Sequence, residues 1–145
     1  MSTRFQVTID CGDPEGLSGF WAKALHYAIP DAPAPHASWE EWAKAEDIPE
    51  EQWNDTRAVE DPDGVGPRLF FQKVPEGKTA KNRMHLDLNA SPGPGTPFDE
   101  KKRLVDAEVA RLKSLGATDE RGAIAEHGSY WVRMNDPEGN EFCVQ

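Results

Sequence analysis

The sequence predicts an α+β fold built from two copies of one βαβββ unit, because two segments of its first half recur in its second half. Residues 4–10 (RFQVTID) reappear as residues 83–89 (RMHLDLN), and DPDG at 61–64 reappears as DPEG at 136–139. Apolar and polar residues alternate along both copies of the first segment, which is typical of a half-buried strand. We therefore interpret the chain as a duplication.

The first module is predicted over about residues 4–75. After its first strand, Asp13-Pro14-Glu15 is typical of a helix start, and apolar residues then recur at helical spacing. Residues 56–59 and 68–74 have strand character, and the Asp-Pro-x-Gly turn between them predicts a hairpin.

A tryptophan-rich insertion is predicted over about residues 38–54, as one or two short helices. Ser38 and Glu41 have the spacing of a capping box. The insertion also contains Trp39, Trp42 and Trp53. These side chains would form either a small apolar cluster of their own or an aromatic lid over a ligand pocket, because tryptophan offers a large apolar area at little entropic cost.

The second module is predicted over about residues 82–145. Its first strand is residues 83–89, and a helix over 98–115 carries an apolar stripe and ends at Gly116. Three strands are then expected, at residues 117–125, 130–135 and 141–145. Each module therefore consists of a strand, a helix and about three strands.

Composition excludes several classes of partner. The 145 residues suit one ordinary domain, and the 26 acidic and 16 basic residues give a net charge of −10. This charge repels phosphate backbones and anionic lipid headgroups, so we expect neither nucleic acid nor a membrane as a partner. Met1–Arg4 has no apolar signal region, and the two cysteines, Cys11 and Cys143, are interpreted as reduced thiols of a cytoplasmic protein.

The chain resembles the vicinal oxygen chelate superfamily, which includes glyoxalase I, extradiol dioxygenases, fosfomycin-resistance proteins and bleomycin-binding proteins. The resemblance is strongest at residues 82–88 (NRMHLDL) and 135–142 (NDPEGNEF), and it extends over the whole chain apart from the tryptophan-rich insertion. It implies that the two βαβββ modules form a curved mixed sheet around a concave cavity, with the helices on the outer face. It also implies a homodimer.

Alternation along the strands indicates which side chains face this cavity. If the apolar strand faces meet the helices, the polar positions must lie on the other face. Those positions are Gln6, Thr8, Gln72, His85, Asp87 and Cys143.

In metal-dependent members of the superfamily, the first and last strands of each module supply the ligands. By resemblance, those positions here are Gln6, Gln72 (or Phe71), His85 and Cys143, and the ion would be divalent Zn, Ni, Fe or Mn. Cys143 stands where the family pattern has a glutamate. Three explanations of His85 stay open: it binds a metal, it bonds to a neighbour such as Asp87 or Gln6, or it acts with Asp87 as a general base.

The resemblance implies lyase or isomerase chemistry on a small oxygenated metabolite, with His85 and Asp87 as catalytic residues. The substrate-binding residues would be Gln6, Thr8, Trp39, Trp42, Gln72 and Arg133. Arg133 would bind a substrate carboxylate, unless it is an ordinary surface arginine. The alternative function is a non-catalytic binding protein of the bleomycin-resistance kind. The two Asp-Pro-x-Gly turns are interpreted as structural.

Overall fold

The structure is a computed structural model that describes all of residues 1–145 apart from the side chain of residue 120. The chain divides into two compact units, Met1–Gly77 and Lys78–Gln145. Each unit contains a mixed sheet and helix, so the α+β fold class is as predicted. No helix among the described residues is both long and apolar enough to cross a membrane.

The first unit is a three-stranded sheet covered by one long helix. Its elements in chain order are β1 (Gln6–Cys11), α1 (Pro14–Leu25), α2 (Trp39–Ala45), a 3₁₀ turn (Glu50–Gln52), β2 (Thr56–Val59) and β3 (Arg68–Lys73). The strand order is β1-β3-β2, with β3 parallel to β1 and antiparallel to β2. A single bridge between Ala28 and Glu60 extends this sheet beyond β2.

Helix α1 packs against one face of the first sheet. Leu17, Phe20 and Trp21 are buried on the helix, and Leu69 and Phe71 are buried on β3. Because successive side chains of a strand point to opposite faces, Arg68, Phe70 and Gln72 of β3 lie on the uncovered face. Gln72 is on this face as the alternation predicts, but the face also carries the apolar ring of Phe70.

Both α-helices of this unit start where the sequence predicts them, but different groups satisfy their backbone donors. In α2, Ser38 Oγ accepts a hydrogen bond from the N–H of Glu41 at 3.1 Å, as the capping box predicts. At the start of α1, Asn54 Oδ1 accepts from the N–H of Glu15 at 2.8 Å, and Asn54 Nδ2 donates to Asp13 Oδ1. A residue remote in sequence therefore satisfies a backbone donor there, which no local motif reveals.

The second unit is a four-stranded sheet covered by one helix. Its elements are β4 (Asp87–Leu88), α3 (Phe98–Ser114), β5 (Thr118–Glu126), β6 (Ser129–Asn135) and β7 (Glu141–Val144). The strand order is β4-β7-β6-β5, in which β4 and β7 are parallel. The first unit has the same order, with the Ala28–Glu60 bridge at the position of β5.

Helix α3 covers the buried face of the second sheet. The helix contributes Val105, Val109 and Leu112, and the strands contribute alternate residues such as Met134 and Phe142. The helix ends as predicted, with Gly116 at a φ of 114°. Strand β4 is shorter than the predicted 83–89, because its backbone pairing with β7 starts at Leu86, whose carbonyl accepts from the N–H of Cys143 at 2.9 Å.

The two Asp-Pro-x-Gly segments form the same turn. In each, the glycine N–H donates to the aspartate carbonyl at 2.9 Å, and Gly64 and Gly139 have φ values of 68° and 88°. These φ values favour glycine because a side chain would be strained there. The carboxylates of Asp61 and Asp136 accept further backbone N–H groups of their own turns.

Candidate functional site

The uncovered face of the second sheet carries a row of three polar side chains. Strand pairing places Asp87 of β4 and Arg133 of β6 on either side of Cys143 of β7. The row spans about 10 Å from the first Cα to the last, since neighbouring strands are about 4.8 Å apart. Its members lie opposite the face that α3 covers.

His85 joins this row through Asp87. The ring Nδ1 of His85 donates a hydrogen bond to Asp87 Oδ1 at 2.9 Å. The side chains are 38% and 44% exposed, so solvent and a ligand can reach both. With Nδ1 carrying the proton, Nε2 keeps its lone pair and can accept a proton from a ligand. Of the neighbours considered for His85, the structure selects Asp87.

Cys143 is a half-buried thiol in the middle of the row, and both cysteines are free. Burial raises the pKa of the Cys143 thiol, and the charge of Asp87 and a hydrogen bond to it raise the pKa further. The positive charges of Arg133 and Lys81 oppose this effect and lower the pKa. The balance favours the neutral thiol.

His85, Asp87 and Cys143 are also the one group of described residues whose donor atoms could converge on a metal ion. One ligand atom from each lies within 4.8 Å of the others. The set does not fit a hard ion such as Mn²⁺, because it offers a single carboxylate, already bonded to His85, and a thiol that resists ionisation. Zinc is the metal whose ligand preferences come nearest to these donors.

Glu141, two residues before Cys143, bonds to residues outside the row. Its carboxylate accepts from the N–H of Asn82 at 2.9 Å and pairs with Lys78 at 3.1 Å. Burial alone would raise the pKa of Glu141, but the backbone N–H groups of Asn82 and Glu141 and the ammonium of Lys78 lower it to about 2. Glu141 therefore holds the segment that leads into β4.

The predicted residues of the first unit lie on the uncovered face of its sheet. Gln6, Thr8 and Gln72 are all exposed. Gln6 is opposite Arg68, whereas Gln72 is opposite Asp10, four residues further along β1. The backbone distance between Gln6 and Gln72 is therefore about 13 Å, and the structure does not bring these two predicted ligands together.

Arg68 is a residue of this face that sequence reasoning missed. Its Nη1 donates to Gln6 Oε1 at 2.7 Å, and its Nε donates to Glu60 Oε1 at 3.0 Å. A signal was available, because Arg68 follows Asp61 by the same number of residues as Cys143 follows Asp136. Arg68 orients the side chain of Gln6.

Two tryptophans of the insertion bond to carbonyl groups of their own unit. Trp39 Nε1 donates to the carbonyl of Pro30 at 2.7 Å, and Trp53 Nε1 donates to the carbonyl of Ile48 at 2.9 Å. The rings of Trp39 and Trp42 meet edge to face at 5.4 Å. Trp39 nevertheless remains 42% exposed, so its ring keeps a free apolar surface.

Comparison with protein families identifies the class of protein. The family model of the glyoxalase-like domain matches residues 6–145. The chain therefore belongs to the glyoxalase-like domain family, within the vicinal oxygen chelate superfamily. A search of curated protein sequences found no match to the chain.

Several solved structures share the fold at low sequence identity. One is a glyoxalase/bleomycin resistance protein/dioxygenase family enzyme from Burkholderia phytofirmans, with a TM-score of 0.62, 16% identity and coverage of 96% of this chain and 94% of that one. Another is a mutant of the fosfomycin resistance protein FosX from Listeria monocytogenes, in complex with Mn(II) and dihydroxypropylphosphonic acid. Its TM-score is 0.61 and its identity 10%, over 100% of this chain and 90% of that one. At this identity the likeness shows the fold alone.

Proposed function

We propose that this protein catalyses a lyase or isomerase reaction on a small oxygenated metabolite, with His85 as general base and Asp87 as its partner. The observation that supports the proposal is the hydrogen bond from His85 Nδ1 to Asp87 Oδ1 at 2.9 Å, on an uncovered sheet face. The carboxylate selects the tautomer whose Nε2 is free, and the exposure of the ring lets a ligand reach that atom.

The proposed chemistry is proton transfer next to a carbonyl group. His85 Nε2 takes a proton from the carbon beside the carbonyl and returns it to a neighbouring atom, and Asp87 stabilises the imidazolium in between. Cys143, as a neutral thiol, is a weak donor close to both residues. No step of this proposal runs through a metal ion, because the single carboxylate is already bonded to His85 and the thiol resists ionisation.

The remaining predicted residues have binding roles in this proposal. Gln6, Thr8 and Gln72 offer amide and hydroxyl groups to oxygen atoms of the substrate. The exposed ring of Trp39 and the half-buried ring of Trp42 offer apolar contact. Testing them requires a ligand, so the catalytic pair is the first target.

Exchange of substrate protons with solvent tests the base. In D₂O, wild-type protein should incorporate deuterium next to the carbonyl of small 2-oxo or 2-hydroxy carbonyl compounds, observed by proton NMR. His85→Gln should slow this exchange by about 100-fold or more, because general-base catalysis contributes about 10²–10⁴. Asp87→Asn should slow it by a smaller factor. His127→Gln is the matched control, because His127 is an exposed loop histidine. Exchange that is unaffected by His85→Gln would contradict the proposal.

Metal analysis of the purified protein is an independent test of this mechanism. Stoichiometric Zn, Ni, Fe or Mn that disappears in His85→Ala would establish a metal-dependent reaction instead. Metal-free protein with full exchange activity would support the metal-independent base.

A second candidate function is sequestration of a small molecule without chemistry. The exposed ring surface of Trp39 favours it, since a rigid aromatic surface is suited to an apolar ligand. A binder would show quenching of tryptophan fluorescence that Trp39→Leu removes and His85→Gln leaves intact. Its ligand would be recovered unchanged and without deuterium.

We also propose that the protein is cytoplasmic, and that it is a homodimer as the resemblance implies. Sedimentation equilibrium would give twice the 16.1 kDa mass of the chain if it is a dimer. A mass of 16.1 kDa, that of one chain, at all protein concentrations would refute the homodimer.

A further inference from the structure

Arg133 differs from the other arginines that are at least partly buried. Arg57 donates to the carbonyl of Trp53, Arg68 to Glu60 and Arg111 to Glu108. Arg133 is half-buried as well, yet its guanidinium makes no hydrogen bond or ion pair with any residue that the structure describes. A guanidinium group carries five N–H donors and stays charged at every physiological pH, so it is seldom left without a partner away from bulk water.

The guanidinium of Arg133 is open to a ligand. Among the described residues there is no buried side-chain nitrogen or oxygen that lacks a partner, so the nitrogens of Arg133 still reach solvent. Its strand position is opposite Cys143, on the face away from α3. An oxyanion approaching this face can therefore accept two parallel N–H bonds from the planar group.

The charged side chains around the row favour binding of an anion at the Arg133 end only. Asp87 is already engaged by His85 at 2.9 Å. Lys81 and Arg133 both act as positive charges on Cys143, so this end of the site is locally positive in a protein whose net charge is −10. A diffuse attraction for anions is absent, and selection must come from direct contact with these two cations.

We propose that Arg133 anchors the oxyanion of a small anionic substrate, a carboxylate, phosphonate or phosphate, and so defines the substrate class of the site. This inference rests on the proposed function, because it assigns the other end of the same ligand to His85. About 10 Å separates the outer Cα atoms of the row, and both His85 and the charge of Arg133 act close to Cys143 between them, so a ligand that joins the two need be only a few atoms long. A short 2-oxo acid or 2-hydroxy acid and a short phosphonate have this form.

Calorimetric titration with three probes tests the anchor. Wild-type protein should bind pyruvate or methylphosphonate, and should bind neutral pyruvamide more weakly. The preferred anion distinguishes a carboxylate substrate from a phosphonate or phosphate substrate. Arg133→Gln should weaken binding of the preferred anion by about 10- to 100-fold, the usual range for a lost hydrogen bond to a charged group.

The matched control is Arg121→Gln, which makes the same change of net charge at an exposed arginine of β5. It should leave affinity unchanged. Because Arg133 has no partner among the described residues, Arg133→Gln should also leave the melting temperature unchanged, so loss of binding cannot be attributed to unfolding. Arg133→Lys should retain part of the affinity, since it keeps the charge and loses the bidentate geometry.

The outcomes separate this inference from the proposed function. Equal binding of pyruvate and pyruvamide, or equal anion binding by wild type and Arg133→Gln, overturns the anchor. Loss of anion binding in Arg133→Gln supports the anchor even if His85→Gln leaves proton exchange intact. In that case only the proposed catalytic role of His85 fails. Intact anion binding in Arg133→Gln together with loss of exchange in His85→Gln overturns the anchor alone.

Discussion

The ionisation of Cys143 depends on the two side chains beside it in the row. Burial raises its pKa first, and Asp87 raises it further by charge and by a hydrogen bond, whereas Arg133 lowers it. Asp87→Asn removes the negative charge, so we predict a lower pKa and faster alkylation of Cys143 by iodoacetamide at mildly alkaline pH. Arg133→Gln should slow the reaction. The rate is measured by mass spectrometry of the peptide that contains Cys143.

Cys11 provides the internal control for this experiment, because it is buried at 4% exposure and lies in the other unit. Its alkylation rate should be low and equal in all three proteins. An Asp87→Asn variant in which Cys143 reacts no faster than in wild type would show that Asp87 does not influence the thiol.

Glu141 links stability to acid pH. Its pKa falls from 4.5 to about 2 in the folded protein, so the stabilisation is fully present above pH 4.5 and is lost as the pH falls through about 2. We predict that Glu141→Gln lowers the free energy of unfolding by about 1–3 kcal/mol at neutral pH, the upper figure corresponding to the whole change in pKa. The gap between the two proteins should shrink steadily below pH 4.5 in urea titrations. A gap that does not depend on pH would contradict the assignment.

At the level of elements, one polar contact fixes the first half of α3 to the start of β6. The buried Tyr130 donates its hydroxyl to Asp106 Oδ1 at 2.5 Å, and its ring contacts Phe98 edge to face at 6.0 Å. Burial and the neighbouring Asp106 both raise the pKa of Tyr130. The hydrogen bond therefore joins a buried phenol to a carboxylate.

We predict that Tyr130→Phe lowers the free energy of unfolding by about 1–2 kcal/mol, because it removes a hydrogen bond to a charged group and preserves the ring contacts. A double-mutant cycle with Asp106→Asn, measured by urea denaturation, should give a coupling energy of about 1 kcal/mol. Additive effects of the two substitutions would mean that the hydroxyl contributes nothing through Asp106.

Sequence patterns predict a helix or strand well where its limits depend only on residues of that element and its immediate neighbours in the chain. The 17-residue helix α3 and its end at Gly116 follow from the apolar stripe and the glycine. Strand β4 is shorter than its alternation suggests, because its pairing with β7 starts at Leu86, whose carbonyl accepts from the N–H of Cys143. That contact joins residues far apart in sequence, and no local pattern reports it.

At the level of the whole molecule, the duplication predicts architecture better than it predicts the site. It predicts a strand, a helix and about three strands in each half. The second unit has this element order, whereas the first has two strands after its long helix and a single bridge in place of the third. The pairing of His85 with Asp87 was one of several open alternatives, and the structure selects it. The lack of a hydrogen-bond partner for the Arg133 guanidinium among the described residues could not be predicted from the sequence, because it depends on neighbouring strands and not on the strand that carries Arg133.

The two copies of the Asp-Pro-x-Gly turn allow a final prediction about the repeat. Asp136 is only 3% exposed, and its Oδ1 accepts from the N–H groups of Glu138 and Asn140. Asp61 makes equivalent bonds to its own turn but is less buried. Because unsatisfied donors cost more when they are buried, Asp136→Ala should lower the free energy of unfolding by about 2–3 kcal/mol and Asp61→Ala by about 1 kcal/mol.

Asparagine variants supply the control for this comparison, since the Asn side-chain oxygen still accepts a hydrogen bond from the turn. Asp136→Asn and Asp61→Asn should each recover part of the loss seen with alanine in urea denaturation. If the two alanine variants are equally destabilised, burial does not distinguish the turns. The two copies of the turn would then be equivalent in energy as well as in geometry.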